Sequence, residues 1–423
     1  MADEELCNDT EVLDEEPRSI LLGLISQLRK GMDLHRVTLP TFVLEPRSML
    51  ERITDFMSHP ELILRYVLCK ILYTSRTAFE HFLTEQVSLV KFQVAHLMLK
   101  YQNIVYSVSK EEDPVKRFVN VMRYYLSGWH IKPKGVKKPY NPVLGEHFRA
   151  RWQFPDNTEA LFVSEQVSHH PPISAYYYAS PENNLIIAGD IRPKSKFLGN
   201  SAATLMQGES KIFFTNRPGE VYRIAMPNVY ARGILFGRMV LELGDNSTVK
   251  CEKNDLVCEL EFRTKIKRES TGESLYEITG KWSDIMYIKD LRTGLKEVLF
   301  NVHESKIYPK IVSPEEEQEE NESRRLWSKV TNALIGRNLD LATEEKTLIE
   351  DNQRNEAKLR EAEGIDWRPR YFLSDNDEFK FKQTTHISKD PQTAKHQLES
   401  FIFSSNSPPG FHSPNGPYHH HDD

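Results

Sequence analysis

The chain has 423 residues, a net charge of −6 and 21 Phe with 17 Tyr, which is enough apolar bulk for a sizeable core. That acidic balance argues against a general binder of nucleic acid or of anionic membrane, and no apolar run reaches the ~18 residues that cross a bilayer. Four scattered cysteines (Cys7, Cys69, Cys251, Cys258) without Cys-x-x-Cys spacing argue against a zinc knuckle and predict a reduced, cytosolic chain without disulfides.

Residues 1–16 carry eight Asp or Glu and no Lys or Arg, which predicts a solvated, disordered segment rather than a secretory leader. Pro17 and Ser19 then open a helix on which Leu21, Leu24, Ile25 and Leu28 recur at helical spacing, with Gly31 as its stop. From about 146 to 303, short runs rich in Val, Ile, Tyr and Phe alternate with Gly, Pro, Asn and Asp. The runs at 160–167, 174–178, 185–187, 221–225, 239–243, 256–262 and 275–278 predict strands of a large antiparallel barrel or sandwich. After Pro314 the pattern turns helical. Glu315 to Glu322 is an acidic start, Trp327, Val330 and Leu334 share a face, and Gly336 stands near the end. A second helix is predicted from near Thr343 to Gly364. The remaining 373–423, rich in Ser, Pro, Asn and His, are predicted to be disordered, and His419 to His421 form too short a run for a metal site.

Within the strand region stands Glu165-Gln166-Val167-Ser168-His169-His170-Pro171-Pro172. Proline fixes its own φ and holds the preceding residue extended. Neighbouring side chains of a flat strand face opposite ways, so both imidazoles meet one ligand only where the strand ends or bends, as the proline pair requires. Taken alone, an arbitrary His-His reads as a polar strand terminus.

The whole octapeptide, however, resembles the signature of the oxysterol-binding-protein-related family of lipid carriers. So do Leu39-Pro40-Thr41-Phe42, Gly128-Trp129-His130, the stretch from Lys137 through Lys138 and Asn141 to Glu146, Asn228-Val229-Tyr230, Gly280-Lys281-Trp282 and the set Lys346, Glu350, Arg354. The resemblance covers about residues 17–372, and the stretch from Pro193 to Asn200 with the short lid is similar to the fungal branch that exchanges phosphatidylserine for phosphatidylinositol 4-phosphate. It implies an α+β fold: a large antiparallel, incomplete β-barrel enclosing a lipid tunnel, with an N-terminal helical lid at about 17–39 and C-terminal helices. It also implies a monomeric carrier, not an enzyme, without cofactor or metal. Such a carrier touches membranes transiently from the cytoplasm, at contact sites between endoplasmic reticulum and plasma membrane. One stretch, about 65–108, departs from the family. It is apolar and basic, and the sequence leaves open whether it adds a surface helix pair or is translated intron.

The site residues follow from the resemblance. A phosphate monoester carries about −1.5 to −2 at neutral pH, so removing it from water needs several donors and positive charge. The motif residues Lys138, Asn141, His169, His170, Lys346, Glu350 and Arg354 supply these for phosphatidylinositol 4-phosphate, with Glu350 orienting the two cations of its helix face. Read without the resemblance, Lys346, Glu350 and Arg354 are a solvated ladder of ion pairs. For phosphatidylserine the resemblance points to Val37, Leu39, Lys138, Asn141 and Ser195. A sterol in place of phosphatidylserine, or a lipid sensor of the same fold, stays open. A hydrolase has no support, because neither a Gly-x-Ser-x-Gly elbow nor a His-Glu-x-x-His helix occurs.

Overall fold

The computed structural model describes residues 10–11, 30, 32, 41–64, 108–131, 137–233, 239–245, 247–260 and 264–404. The lid region 17–39 with Val37 and Leu39, apart from two isolated residues, lies outside them. So do 65–107, Cys7, Cys69 and the terminal histidines.

Sixteen strands join in one sheet whose centre is the strand Leu185–Phe197. Its first half pairs antiparallel with Pro172–Ser180 on one side and Glu209–Phe214 on the other, and its second half pairs with Ser201–Gln207. Three arms leave this fork. One runs through Glu159–His169 to His147–Gln153. A second runs from Ser201–Gln207 through Asn228–Arg232 to Met239–Gly244. The third pairs Val221–Ala225 with Ser247–Cys251, after the chain has passed through the second arm, and goes on by successive hairpins to Lys296–Asn301. Gly189 sits where the arms crowd most, since a Cβ there would collide with the Glu209 backbone. The described strands do not close into a ring, so the barrel is incomplete, as the resemblance implies.

Inside the curve lies the helix Pro114–Ser127. Asp113 caps it by accepting from the Val115 amide at 2.8 Å, and Pro114 starts it. Phe118, Val121, Met122 and Tyr125 recur at one-turn spacing and bury against Phe162, Tyr176, Ile187 and Tyr222. Among the described residues, no helix is long and apolar enough to cross a membrane.

The tail differs from the sequence expectation over 373–403. Phe372–Asp375 and Glu378–Phe381 form a hairpin whose turn, Asn376 and Asp377, has positive φ at both positions. Helix Pro391–Phe403 follows, capped by Asp390. Tyr371, Phe372, Phe381, Leu398 and Ile402 cover the outer faces of Leu161, Val163, Val167 and Tyr177, and the Tyr177 and Phe381 rings stack at 4.0 Å. This cover also explains why the strand Glu159–His169 is buried almost without alternation along its length.

Smaller corrections have similar causes. Thr10–Glu11, placed in the disordered acidic segment, pair with Val240 and Met239 on an otherwise open strand edge. The acidic stretch from Glu315 makes only a short 3-10 turn, and the helices begin at Ser323 and Ser328, because Glu322 is buried against Arg149 at 2.5 Å. The long helix starts at Leu339, earlier than Thr343, because the Asn338 side chain caps it. Gly364, with φ of 66°, ends it as expected.

Candidate functional site

Two short strands set the position of Lys138. Leu44–Ser48 and Lys138–Tyr140 pair in parallel, with Leu44 opposite Lys138. Tyr140 is buried on Trp327, with ring centroids 4.7 Å apart, and its hydroxyl shares a 3.0 Å hydrogen bond with Thr331. Lys138 lies two residues earlier, on the same face. Ile349 of the helix Leu339–Glu363 packs on this aromatic cluster and brings Lys346 and Glu350 beside Lys138. Lys346 and Glu350 pair at 2.6 Å. Burial, and then the neighbouring Lys346 charge, push the Lys138 ammonium below its ordinary pKa, and Glu350 offsets only part of this. The sequence therefore builds a desolvated site with two ammonium groups and one carboxylate.

The His-His-Pro-Pro stretch reaches this region through a register shift. Phe162, Ser164 and Gln166 pair with Tyr178, Tyr176 and Ser174, whose face turns inward. Between Gln166 and Ser168 the register slips, and beyond the slip His169 pairs with Pro172 on that same face. Without the slip, His169 would point outward with Val167, which packs under the C-terminal hairpin. The Pro142 carbonyl accepts from His169 Nδ1 at 3.2 Å, directing Nε2 away from that loop. His170 is exposed at the strand end, its ring 4.6 Å from that of His169.

Glu146 ties the two motifs together, and sequence reasoning did not single it out. Its buried carboxylate accepts from Ser48 and Ser323 on Oε1, and from the Val143 amide at 3.1 Å and Trp327 Nε1 at 2.9 Å on Oε2. Burial raises its pKa, and these four donors oppose the rise. Gly145 precedes it at φ of 80°, where a Cβ would meet the Trp367 ring at 2.5 Å. Backbone bonds between Gly145 or Glu146 and Gln166 then stitch the lysine loop to the histidine strand. The signal for Glu146 was a charged residue among small and apolar ones, Val143 to Gly145, inside a motif already noted.

The remaining predicted residues divide. Asn141 follows Tyr140 directly and is half-buried beside Lys138. Ser195 is buried on Leu185–Phe197, and its hydroxyl meets Thr204 of the adjacent strand at 3.4 Å. Arg354 is not gathered with Lys138. Its half-exposed guanidinium pairs with Asp351 and lies 3.6 Å from Glu350, which is the solvated ladder of the resemblance-free reading. Glu165, in the signature strand, was also passed over. Its carboxylate accepts from the Arg370 and Tyr371 amides at 2.6 and 2.8 Å, and burial raises its pKa to about 7. No group of three or more His, Cys, Asp or Glu suited to a metal occurs among the described residues.

Deeper inside, an apolar cavity of about 20 Å³ lies between the helix Pro114–Ser127, the turn Ile53–Met57 and the inner strand face. It is large enough for one water-sized group, not for a lipid.

The comparisons agree on one family. A family model described as "Oxysterol-binding protein" matches residues 23–79, 74–334 and 331–396. An oxysterol-binding protein homolog of Schizosaccharomyces pombe is 44% identical over 396 residues, covering 88% of this chain and 74% of its own. Among solved structures, the Osh1 ORD domain in complex with ergosterol superposes with a TM-score of 0.68 at 20% identity, over 96% of this chain and 94% of its own. The Osh3 ORD of Saccharomyces cerevisiae in complex with PI(4)P gives a TM-score of 0.57 at 19% identity, over 90% and 93%. At these identities the two structures support the fold alone.

Proposed function

This chain belongs to the oxysterol-binding protein family, whose members bind and carry lipids rather than transform them, and from that premise we propose that it exchanges phosphatidylserine for phosphatidylinositol 4-phosphate between membranes. The observation that carries the proposal is the convergence of Lys138, Lys346 and Glu350, with His169 turned inward nearby. An inositol phosphate monoester supplies the negative charge that Lys138, desolvated beside the Lys346–Glu350 pair, lacks. In this reading Lys138 and Asn141 also receive the phosphatidylserine head, together with Ser195, Val37 and Leu39. His170, Lys346 and Glu350 complete the phosphoinositide set, and Arg354, half-exposed and paired with Asp351, stands outside it. Sharing Lys138 and Asn141 makes the two cargoes mutually exclusive.

Transfer energetics require a carrier. Each methylene taken from bilayer to water costs ~0.8 kcal/mol, so two acyl chains cost on the order of 20 kcal/mol. A closed apolar tunnel offsets this and leaves exchange nearly neutral, so a gradient of one lipid drives the other. The protein then works as a monomer on the cytosolic face of membranes, touching them transiently at contacts between endoplasmic reticulum and plasma membrane. The test places labelled phosphatidylserine and phosphatidylinositol 4-phosphate on separate liposome populations. Coupled counter-transport is expected, with no hydrolysis and no uptake of labelled sterol. Sterol uptake coupled to phosphoinositide return would replace phosphatidylserine with sterol. Binding without transport would make the protein a sensor.

A further inference from the structure

We propose that Met57, Tyr124 and Met226 form the floor of the lipid compartment and set the acyl-chain length that the protein accepts. The inference rests on the lipid-carrier reading above and extends it from the head group to the tail.

Three observations place the floor. First, these side chains line the small apolar cavity together with Phe56, Tyr125 and Tyr176. Second, the cavity lies on the same inward face as the head-group residues. Tyr176 is four residues along its strand from Pro172, the partner of His169, roughly 13 Å at ~3.3 Å per residue. An amphiphile with its head at His169 thus has its tail on course for this space. Third, the hydroxyls around the cavity already have partners. Tyr124 donates to the Met57 sulfur at 3.1 Å, Tyr125 bonds Ser247 at 3.1 Å and the Ala225 carbonyl at 3.3 Å, and Tyr176 bonds Ser210. A polar group arriving here would lose its water and gain no partner. The occupant that fits is the methyl end of a hydrocarbon chain, not a hydroxyl.

The same residues explain how a cavity this small serves. Methionine is unbranched and adaptable, and its sulfur is a weak acceptor, so the Tyr124–Met57 tie is the easiest of the three to release. Chain ends that fit are received by local repacking, and each further methylene must displace aromatic rings of the core. Met226 is only partly buried, so substitutions there leave the core intact.

The experiment measures extraction of phosphatidylserines with saturated chains of graded length from mixed liposomes, read by native mass spectrometry. Each methylene gained or refused is worth about fourfold in relative occupancy, the equivalent of ~0.8 kcal/mol. Met226→Ala removes three heavy atoms and is expected to move the preferred length up by about two carbons, changing the long-to-short ratio by roughly fifteenfold. Met226→Phe is expected to move it down. Tyr124→Phe keeps the ring, cuts the tie to Met57 and is expected to broaden the distribution. Unchanged length distributions in folded variants that still extract lipid would overturn the floor assignment and leave the carrier reading standing. A wild-type protein that extracts no phospholipid of any length would overturn both.

Discussion

Replacing Glu146 removes the acceptor that holds the lysine loop, the histidine strand and Trp327 together. Its two oxygens have different partners, which makes two substitutions diverge. Oε1 faces only the hydroxyls of Ser48 and Ser323, which rotate, and Ser323 already reaches the His147 carbonyl at 3.1 Å. Oε2 faces the Val143 amide and the Trp327 indole N–H, which do not rotate into acceptors. Glu146→Gln can set its carbonyl at the Oε2 position and its NH₂ toward the two hydroxyls. It keeps every bond but one and is expected to cost about 1 kcal/mol. Glu146→Ala leaves two buried donors unmade at about 1–3 kcal/mol each, so about 2–6 kcal/mol is expected. The pH dependence separates charge from geometry. Burial raises the Glu146 pKa in the folded state above its unfolded value, so the stability tied to the neutral form is fully present below that unfolded value and is lost as pH rises through the folded one. The Gln variant lacks this loss and should compare better with wild type at pH 8 than at pH 5. Equilibrium urea unfolding at both pH values, paired with binding of short-chain phosphatidylinositol 4-phosphate, measures these effects. Equal damage from Gln and Ala, or an Ala penalty under about 1 kcal/mol, would refute the reasoning.

Further outcomes follow from the same geometry. Lys138→Met should weaken phosphatidylinositol 4-phosphate binding about 10- to 100-fold, the range for one charge-assisted hydrogen bond. In wild type that affinity should fall as pH rises through the depressed Lys138 pKa, below 10.5, because the bound phosphate favours the charged form; calorimetry in two buffers of different ionisation heat reads the proton uptake. Lys346→Ala should cost tenfold or more in liposome extraction, whereas Arg354→Ala, already exposed and paired with Asp351, should stay within about threefold. Glu165→Gln should flatten stability between about pH 4.5 and 7. The wild-type carboxyl, with its pKa raised to about 7, favours the fold when neutral and loses that contribution as pH climbs through 7. Ending the chain after Gly364 should abolish cooperative melting. It uncovers the strand faces under Tyr371, Phe372, Phe381, Leu398 and Ile402, each worth about 1.5–3 kcal/mol, and together these match the whole stability of a typical domain.

The strands were legible because short runs rich in β-branched and aromatic residues recur between turns that carry Gly, Asn or Asp. Val221–Ala225 matches its predicted span residue for residue. The lysine and histidine motifs were legible only as strings. Nothing in Val167 and Ser168 announces the register slip that turns His169 inward, because a bulge is decided by pairing with the neighbouring strand. The tail was misread for a different reason. The Ser, Pro and Asn of its last twenty residues coloured the whole segment, although Asn376-Asp377 and Asp390-Pro391 are turn and cap signals of the kind used elsewhere in the chain. Arg354 entered the site through the family resemblance, whereas its spacing from Lys346 and Glu350 reads as a solvated ladder of ion pairs, the arrangement the side chains adopt.

Under the proposed exchange, the electrostatics of the lysine site favour coupling over simple release. Without an anion, Lys138 is desolvated beside Lys346, and the one carboxylate between them is already committed to Lys346 at 2.6 Å. That arrangement is costly, because Lys138 loses hydration beside a second ammonium and shares a single counter-charge with it. A phosphate head group relieves it and a bare return journey does not, so the empty, sealed state is the least favourable on the proposed cycle. The carrier is then held open at a membrane until an anionic head arrives. Lys138→Met should remove this penalty and let the empty protein leave the membrane. Net one-way leakage of phosphatidylserine should rise relative to coupled exchange in the same liposome assay, and a variant that loses both in proportion would show that the buried charge plays no part in coupling.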